Sequence, residues 1–430
     1  MSVLMFEMKH FPAILFLFNF ILSAGQDNRL QALDISLLDE GDMARNLEEA
    51  FTFTRYPTHG QYIQMMFEMA ANYQEICTVD TIGFSVLGRP ILVLKISNNV
   101  GNPDGKPGFF YTSSMHGDEL VGYILLLRLA DFLLKNYDSD TEVNRLVDNL
   151  EIYINPLSNP DGTYKYSDTT VVNAWRYNIQ GAGDAFDINR NFPDPSKNEP
   201  DDTTGRLTET KAMMTFLLRK RFNLSANIHS GEEVVNYPWD YTSQRHPDDA
   251  WYRFISREYS DEARVVNPDY MSDFTDGITN GWDWYQILGG RQDYVNYYLG
   301  GREITLELAK IKMLDSDLLD NYWNYNERSL INYMSQALYG IHGKVSSAVS
   351  GLPLVAEITI PDHDQDFSRV YSDGLKGNFF RYIKEGTYDL VISAEGYVND
   401  TVYNLEVQDY RTVQLYIMLD SITAVSYTHL

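Results

Sequence analysis

The sequence predicts an α/β domain with a largely buried sheet, followed by a small all-β unit. Three observations lead there. Segments of strand and helix periodicity alternate over roughly 280 residues, the pattern of layered α/β architecture. Chemistry-bearing residues stand at the ends of several of those strands, where ligands collect in such sheets. After Tyr339-Gly340 the pattern changes to short strands and turns.

Size and composition agree. The chain has 430 residues, enough for two or three domains. Apolar residues make up 44% and charged residues 22%, as in ordinary soluble proteins. Lys plus Arg number 34 against 60 Asp plus Glu, a net charge of −26. That excludes a nucleic-acid binder, which needs a basic footprint, and weakly favours cationic substrates through steering.

Residues 1–25 read as a signal peptide. Lys9 and His10 precede the apolar run Phe11 to Leu22, and small residues Ser23-Ala24-Gly25 follow. The run is short for a membrane span, so export to a secreted or periplasmic location is expected, with an uncleaved anchor as the alternative. No other stretch reads as a bilayer span. Cys77 is the one cysteine, so no intrachain disulfide forms, and the residue reads as small and buried.

Residues 26–55 form a polar, acidic lead-in. From Thr58 to Tyr73 the apolar residues Tyr62, Met65, Met66 and Met69 recur at helical spacing. Ile76 to Val86 and Pro90 to Ser97 read as strands joined by the hairpin signal Leu87-Gly88-Arg89. Phe109 to Ser113 is a strand, Glu119 to Tyr137 a helix burying Leu120, Ile124, Leu127 and Phe132, and Leu150 to Asn155 a strand stopped by Pro156.

Between that strand and helix lies Ser113-Ser114-Met115-His116-Gly117-Asp118-Glu119. At i, i+3 spacing, His116 and Glu119 can project to one side of a first helical turn. An imidazole nitrogen and a carboxylate oxygen are two of the three protein ligands of a catalytic zinc. The same residues also fit a helix start whose acidic groups favour the helix dipole. Four further motifs follow: Asn159-Pro160-Asp161-Gly162, a turn by composition; Asp187-Ile188-Asn189-Arg190-Asn191-Phe192-Pro193; Ser225 to Gly231, a strand ending on His229; and Arg302 to Leu308, a strand with Glu307 near its end.

In this order the motifs resemble the zinc metallocarboxypeptidases, and more narrowly the regulatory branch that includes carboxypeptidases D, E and N. The resemblance covers about Tyr56 to Tyr339. It implies a mixed-sheet α/β/α catalytic domain over residues 56–340, a transthyretin-like β-sandwich over 341–420 and a tail at 421–430. It also implies one zinc ion on His116, Glu119 and His229. Glu307 would be the proton-shuttling carboxylate, with Glu303 a possible second candidate on the same strand face. Arg176 resembles the oxyanion-stabilising arginine, Asn189 and Arg190 the carboxylate clamp, and Tyr285 the tyrosine that closes over the substrate terminus. Asp240 and Gln292 resemble the pocket for the terminal side chain, and a buried carboxylate there selects Lys or Arg, because an uncompensated charge is costly to bury.

The implied activity is removal of a basic C-terminal residue from peptides or proteins. Neutral or cell-wall peptide ends, and a non-catalytic peptide-binding module, are the alternatives. The chain departs from the branch in three places: Asp118 stands for asparagine beside the zinc site, Ser230 for glycine, and Gly301-Arg302 where a cysteine is usual.

Overall fold

The computed structural model describes residues 38–101, 105–180, 184–365 and 367–422. The signal-peptide reading and most of the tail lie outside these residues. Among the described residues, ten strands precede Tyr339: β1 (Cys77–Phe84), β2 (Pro90–Ile96), β3 (Gly108–Ser113), β4 (Glu151–Asn155), β5 (Asn178–Gln180), β6 (Asp184–Phe186), β7 (Leu224–His229), β8 (Glu232–Tyr237), β9 (Ile278–Asn280) and β10 (Arg302–Ala309). Eight of them form one mixed sheet in the order β1-β2-β4-β3-β7-β10-β8-β9. The centre, β4-β3-β7-β10, is parallel; β2, β8 and β9 run against it, and the edge strand β1 runs with it.

The central strands carry apolar side chains on both faces, as buried parallel strands must. Phe109 and Tyr111 of β3 enter one core and Phe110 the other. The larger core takes in helices His59–Asn72, Val121–Asn136, Asp249–Val266 and Leu319–Ser335, and the smaller one helices Thr208–Lys220 and Arg291–Tyr298. The result is a three-layer α/β/α arrangement. Thr58 caps the helix His59–Asn72 reciprocally with Gln61, its hydroxyl accepting from Gln61 N at 3.2 Å and its own N–H reaching Gln61 Oε1 at 2.8 Å. The described part of the lead-in belongs to this body, since Leu38, Met43, Ala44, Ala50 and Phe53 lie in the larger core. Cys77 is buried, and burial pushes its thiol up to about 12.

Beyond Tyr339, β11 (Gly340–Ser347), β14 (Asn378–Arg381) and β17 (Thr412–Leu419) form one small sheet. β12 (Glu357–Thr359), β13 (Val370–Tyr371), β15 (Gly386–Ser393) and β16 (Asp400–Val407) form another. The two sheets share a core of their own that includes Ile341, Phe379 and Ile417 from the first and Ile358, Leu390 and Ile392 from the second. Ser421 still pairs with Tyr397, so the β unit continues into the segment read as tail. Among the described residues, no helix is long and apolar enough to cross a membrane.

Two details differ from the sequence reading. The helix expected from Glu119 begins at Val121, so His116 and Glu119 sit in the turn before it rather than on its first turn. Phe132 is half-buried at the edge of the core.

Candidate metal centre

The turn after β3 converges its donors by local bonding. Ser114 takes a positive φ of 51° and its hydroxyl donates to Glu119 O at 2.8 Å, while Glu119 N donates to His116 O at 3.1 Å. The Asn159-Pro160-Asp161-Gly162 motif supports this turn. Asn159 Nδ2 donates to Met115 O at 3.3 Å, and Thr163 Oγ1 to Gly117 O at 2.8 Å. The approach is close enough that a Cβ on Gly117 would lie 2.4 Å from the Gly162 carbonyl carbon, so only glycine fits.

His229 arrives from the end of β7. Its Nδ1 lies 2.7 Å from Glu119 Oε2 and 3.1 Å from His116 Nδ1, and His116 Nδ1 lies 2.9 Å from Glu119 Oε1. Three donors from 113 residues apart therefore meet at one point, all buried. The set fits zinc: two imidazole nitrogens and a carboxylate are its usual catalytic ligands. The outward nitrogen of His116 meets a carboxylate acceptor, as a metal-binding imidazole requires. His116 Nε2 lies 2.9 Å from Asp187 Oδ1, and His229 Nε2 lies 2.7 Å from the Asn227 side-chain amide. Ser230 N also donates to Glu119 Oε2, at 3.2 Å.

A cavity of about 150 Å³ opens over these donors. It gathers Arg176, Asn189, Arg190, Asp240, Tyr285 and Glu307 around them. Glu307 stands in register with His229 on the adjacent parallel strand. Burial, with the charge of Glu119 adding to it, pushes its carboxyl well above the usual range, and its Oε2 has no hydrogen-bond partner among the described residues. Glu303, two strand periods back on the same face, is committed elsewhere: it accepts from Ser225 Oγ at 2.7 Å and Arg291 Nη2 at 2.8 Å, fully buried.

Arg176 donates to Glu119 Oε1 at 3.1 Å and to Asp187 Oδ2 through Nη2 at 3.0 Å, so its guanidinium faces the donor cluster. Asn189 Oδ1 accepts from Arg291 N at 2.9 Å, tying the segment of Arg190 to the helix behind it. Tyr285 is exposed at the rim. Asp240 closes the far end: its Oδ1 accepts from Asn236 Nδ2 at 3.1 Å and Gln292 Nε2 at 3.0 Å. Burial pushes this carboxyl up to about 6, against the lowering effect of Asn236 and of the Arg190 charge. Gln292 reaches the cavity through this bond, being itself buried. A Cβ on Gly281 would fall 1.7 Å from Asp240 Oδ1, so glycine there makes room for the carboxylate.

Sequence reasoning missed Asp187, Asn227, Asn236 and Lys312. Lys312 lines the cavity and places Nζ 3.6 Å from Asp118 Oδ2, which offsets the extra negative charge of Asp118. Burial and Glu119 push the Asp118 carboxyl up to about 6. A second trio, Asp248, His363 and Asp364, also brings metal-type donors together. There Arg302 and Arg381 already occupy the carboxylate oxygens, which makes it an ion-pair network.

A three-layer α/β body with a His-Glu-His donor set and an unpaired carboxylate across from it defines a metal-dependent hydrolase. The chain belongs to the zinc carboxypeptidase family, whose profile matches residues 62–329, and is thereby a metallocarboxypeptidase. It is 34% identical over 358 residues to carboxypeptidase SOL1 of Arabidopsis thaliana, covering 80% of this chain and 69% of that protein. It is 36% identical over 361 residues to human carboxypeptidase D, covering 80% of this chain but 25% of that protein, so it spans about a quarter of that relative's length. With carboxypeptidase E of Caenorhabditis elegans the identity is 31% over 387 residues, covering 80% of this chain and 81% of that protein. The fold is shared with thrombin activatable fibrinolysis inhibitor, with a TM-score of 0.58 and 19% identity over 72% of this chain and 79% of that one. Carboxypeptidase A from Helicoverpa armigera gives a TM-score of 0.56 and 20% identity over 66% and 74%.

Proposed function

We propose that this metallocarboxypeptidase removes a C-terminal Lys or Arg from peptides or proteins. The observation that carries the reading is Asp240, a carboxylate buried at the end of the cavity with two amide donors, Asn236 and Gln292, on one oxygen. An anion in that setting is matched by a guanidinium or ammonium and left unpaired by an apolar side chain.

His116 Nδ1, Glu119 and His229 Nδ1 hold zinc in this scheme. Zinc supplies Lewis acidity, which polarises a scissile carbonyl and acidifies water. Arg190 and Asn189 receive the substrate's terminal carboxylate, for which the planar guanidinium offers two parallel donors. Tyr285 closes over that terminus from the rim. Glu307, kept by its buried setting at a high proton affinity, takes the proton from the attacking water and passes it to the leaving amine nitrogen. Arg176 is placed to stabilise the negative charge that develops on the carbonyl oxygen.

The chain is exported in this reading, with residues 1–25 as its signal, and the unit after Tyr339 is a transthyretin-like β-sandwich. The test is hydrolysis of peptides that differ only in ending in Arg, Phe or D-Ala, with and without a chelator. Arg-selective, chelator-sensitive release is expected. Faster cleavage of the Phe or D-Ala peptide would sink the basic pocket.

A further inference from the structure

We propose that the C-terminal β unit completes the specificity end of the cleft, with Phe367 as the positioning residue that sets Asp240 against Gln292. The inference rests on the reading of Asp240 and Gln292 as the side-chain pocket, and goes beyond it in making a second structural unit responsible for the pocket's shape.

Phe367 belongs to the loop between β12 and β13. Its ring meets Trp239 edge-on, with centroids 5.2 Å apart and planes at 86°, and stacks on Tyr297 at 5.2 Å and 24°. Trp239 is 1% exposed and immediately precedes Asp240. Tyr297 lies one turn beyond Asp293 on the helix Arg291–Tyr298, which also carries Gln292. The ring is thus wedged between the two elements that build the pocket floor. Across the same joint, Asp240 N donates to Asp293 Oδ1 at 3.0 Å and Gln292 Nε2 to Asp240 Oδ1 at 3.0 Å.

The wedge is held rigidly. Arg302 Nη2 donates to Ser368 O, the residue after Phe367, at 2.8 Å. The same nitrogen donates to Asp248 Oδ2 at 2.8 Å. From the β unit, Arg381 gives Asp248 two bonds of 2.8 Å and His363 Nε2 lies 2.8 Å from Asp248 Oδ1. Burial disfavours a charge on Asp248, but the two guanidinium groups outweigh it and hold the carboxyl well below its usual range. Charge-assisted bonds of this kind, away from water, leave little freedom to the loop. Arg302 opens β10, the strand that carries Glu307, so the lock ties the Phe367 loop to the catalytic strand itself.

Removing the ring leaves a void beside Trp239 into which the neighbouring segment relaxes. Asp240 then drifts relative to Gln292, while the donors around His116 keep their own supports. Phe367→Ala should raise the KM for an Arg-ending peptide about tenfold, the scale of two aromatic contacts. Its kcat, and both constants for a matched Phe-ending peptide, should stay within about twofold. Phe367→Tyr, which keeps both ring contacts, should restore wild-type selectivity. Phe367→Leu, which keeps apolar volume without the ring planes, should lose it and serves in place of the alanine variant if that one does not fold. A parallel loss on both peptides, or unchanged selectivity in both the alanine and leucine variants, overturns the inference while leaving the basic pocket standing. A wild type indifferent to the terminal charge overturns both.

Discussion

Asp187 and His116 form the contact that orients the donor cluster: Asp187 Oδ1 lies 2.9 Å from His116 Nε2, while Asp187 Oδ2 accepts from Arg176. The carboxylate fixes which imidazole nitrogen faces the zinc position and places the arginine beside it. Partners of this kind tune metal affinity. Asp187→Ala should therefore weaken zinc binding about 10- to 100-fold, read by chelator competition with a zinc indicator. Unchanged zinc affinity would show the contact to be incidental.

Zinc removal should leave the fold intact but less stable. At a free zinc concentration about 100-fold above its dissociation constant, binding adds about 2.7 kcal/mol. Calorimetric melting with and without chelator measures this. His229→Ala should abolish the zinc-dependent rise in Tm, and a variant that keeps it would place the ion elsewhere.

Glu307→Gln keeps the side chain's shape and removes its proton affinity. The expected result is a fall in kcat of about 10²- to 10⁴-fold with zinc affinity unchanged. A variant retaining most of its turnover would hand the proton transfer to another group.

In the proposed reading, Asp240 makes basic-substrate binding pH-dependent. Asp240 is raised to about 6, so it is charged above that pH and neutral below it. Three charged or titratable groups interact with it: Arg190, which favours its charge, Asp293, which opposes a second one, and Tyr285, whose hydroxyl its charge pushes up. The KM for an Arg-ending peptide should rise as pH falls through about 6, with no such rise for a Phe-ending peptide. Asp240→Asn should lower kcat/KM on the Arg peptide by about 2–5 kcal/mol and erase the difference between the two pH profiles. Parallel profiles in the wild type would refute the assignment.

Acid should destabilise the β unit through His342. Burial holds this imidazole down at about 4, so it is neutral in the fold and charges in the unfolded chain below about 6.5. The stability it contributes is present above 6.5 and lost as pH falls from there towards 4, by about 3 kcal/mol in all. His342→Phe should flatten that part of the curve in denaturant titrations run at several pH values.

The donors were legible because His116, Glu119 and His229 sit in short motifs at strand ends, and the strand carrying Glu307 reads plainly as a strand. Asp187 was visible in the same motif as Asn189 and Arg190, yet an aspartate before a short helical turn reads as a cap. It is one, accepting from Asn189 N at 2.8 Å, and nothing local announces its second duty to His116. β8 escaped because Glu232–Tyr237 begins just past His229, leaving only Ser230 and Gly231 between two strands. The supporting role of Asn159 in Asn159-Pro160-Asp161-Gly162 could not be read, since its side-chain amide meets the backbone carbonyls of Met115 and Arg176. Contacts of that sort follow from strand order, which periodicity does not encode.

Glu307 and His229 hang side by side from neighbouring strands, so their separation is set by the interstrand spacing of about 4.8 Å rather than by any loop. In the proposed mechanism the chemical step is thereby insulated from its surroundings: the rim at Tyr285 and the floor at Asp240 can be rebuilt by substitution without moving Glu307 and His229 apart. Descendants of this chain could change which tails they trim while keeping the blade as it is.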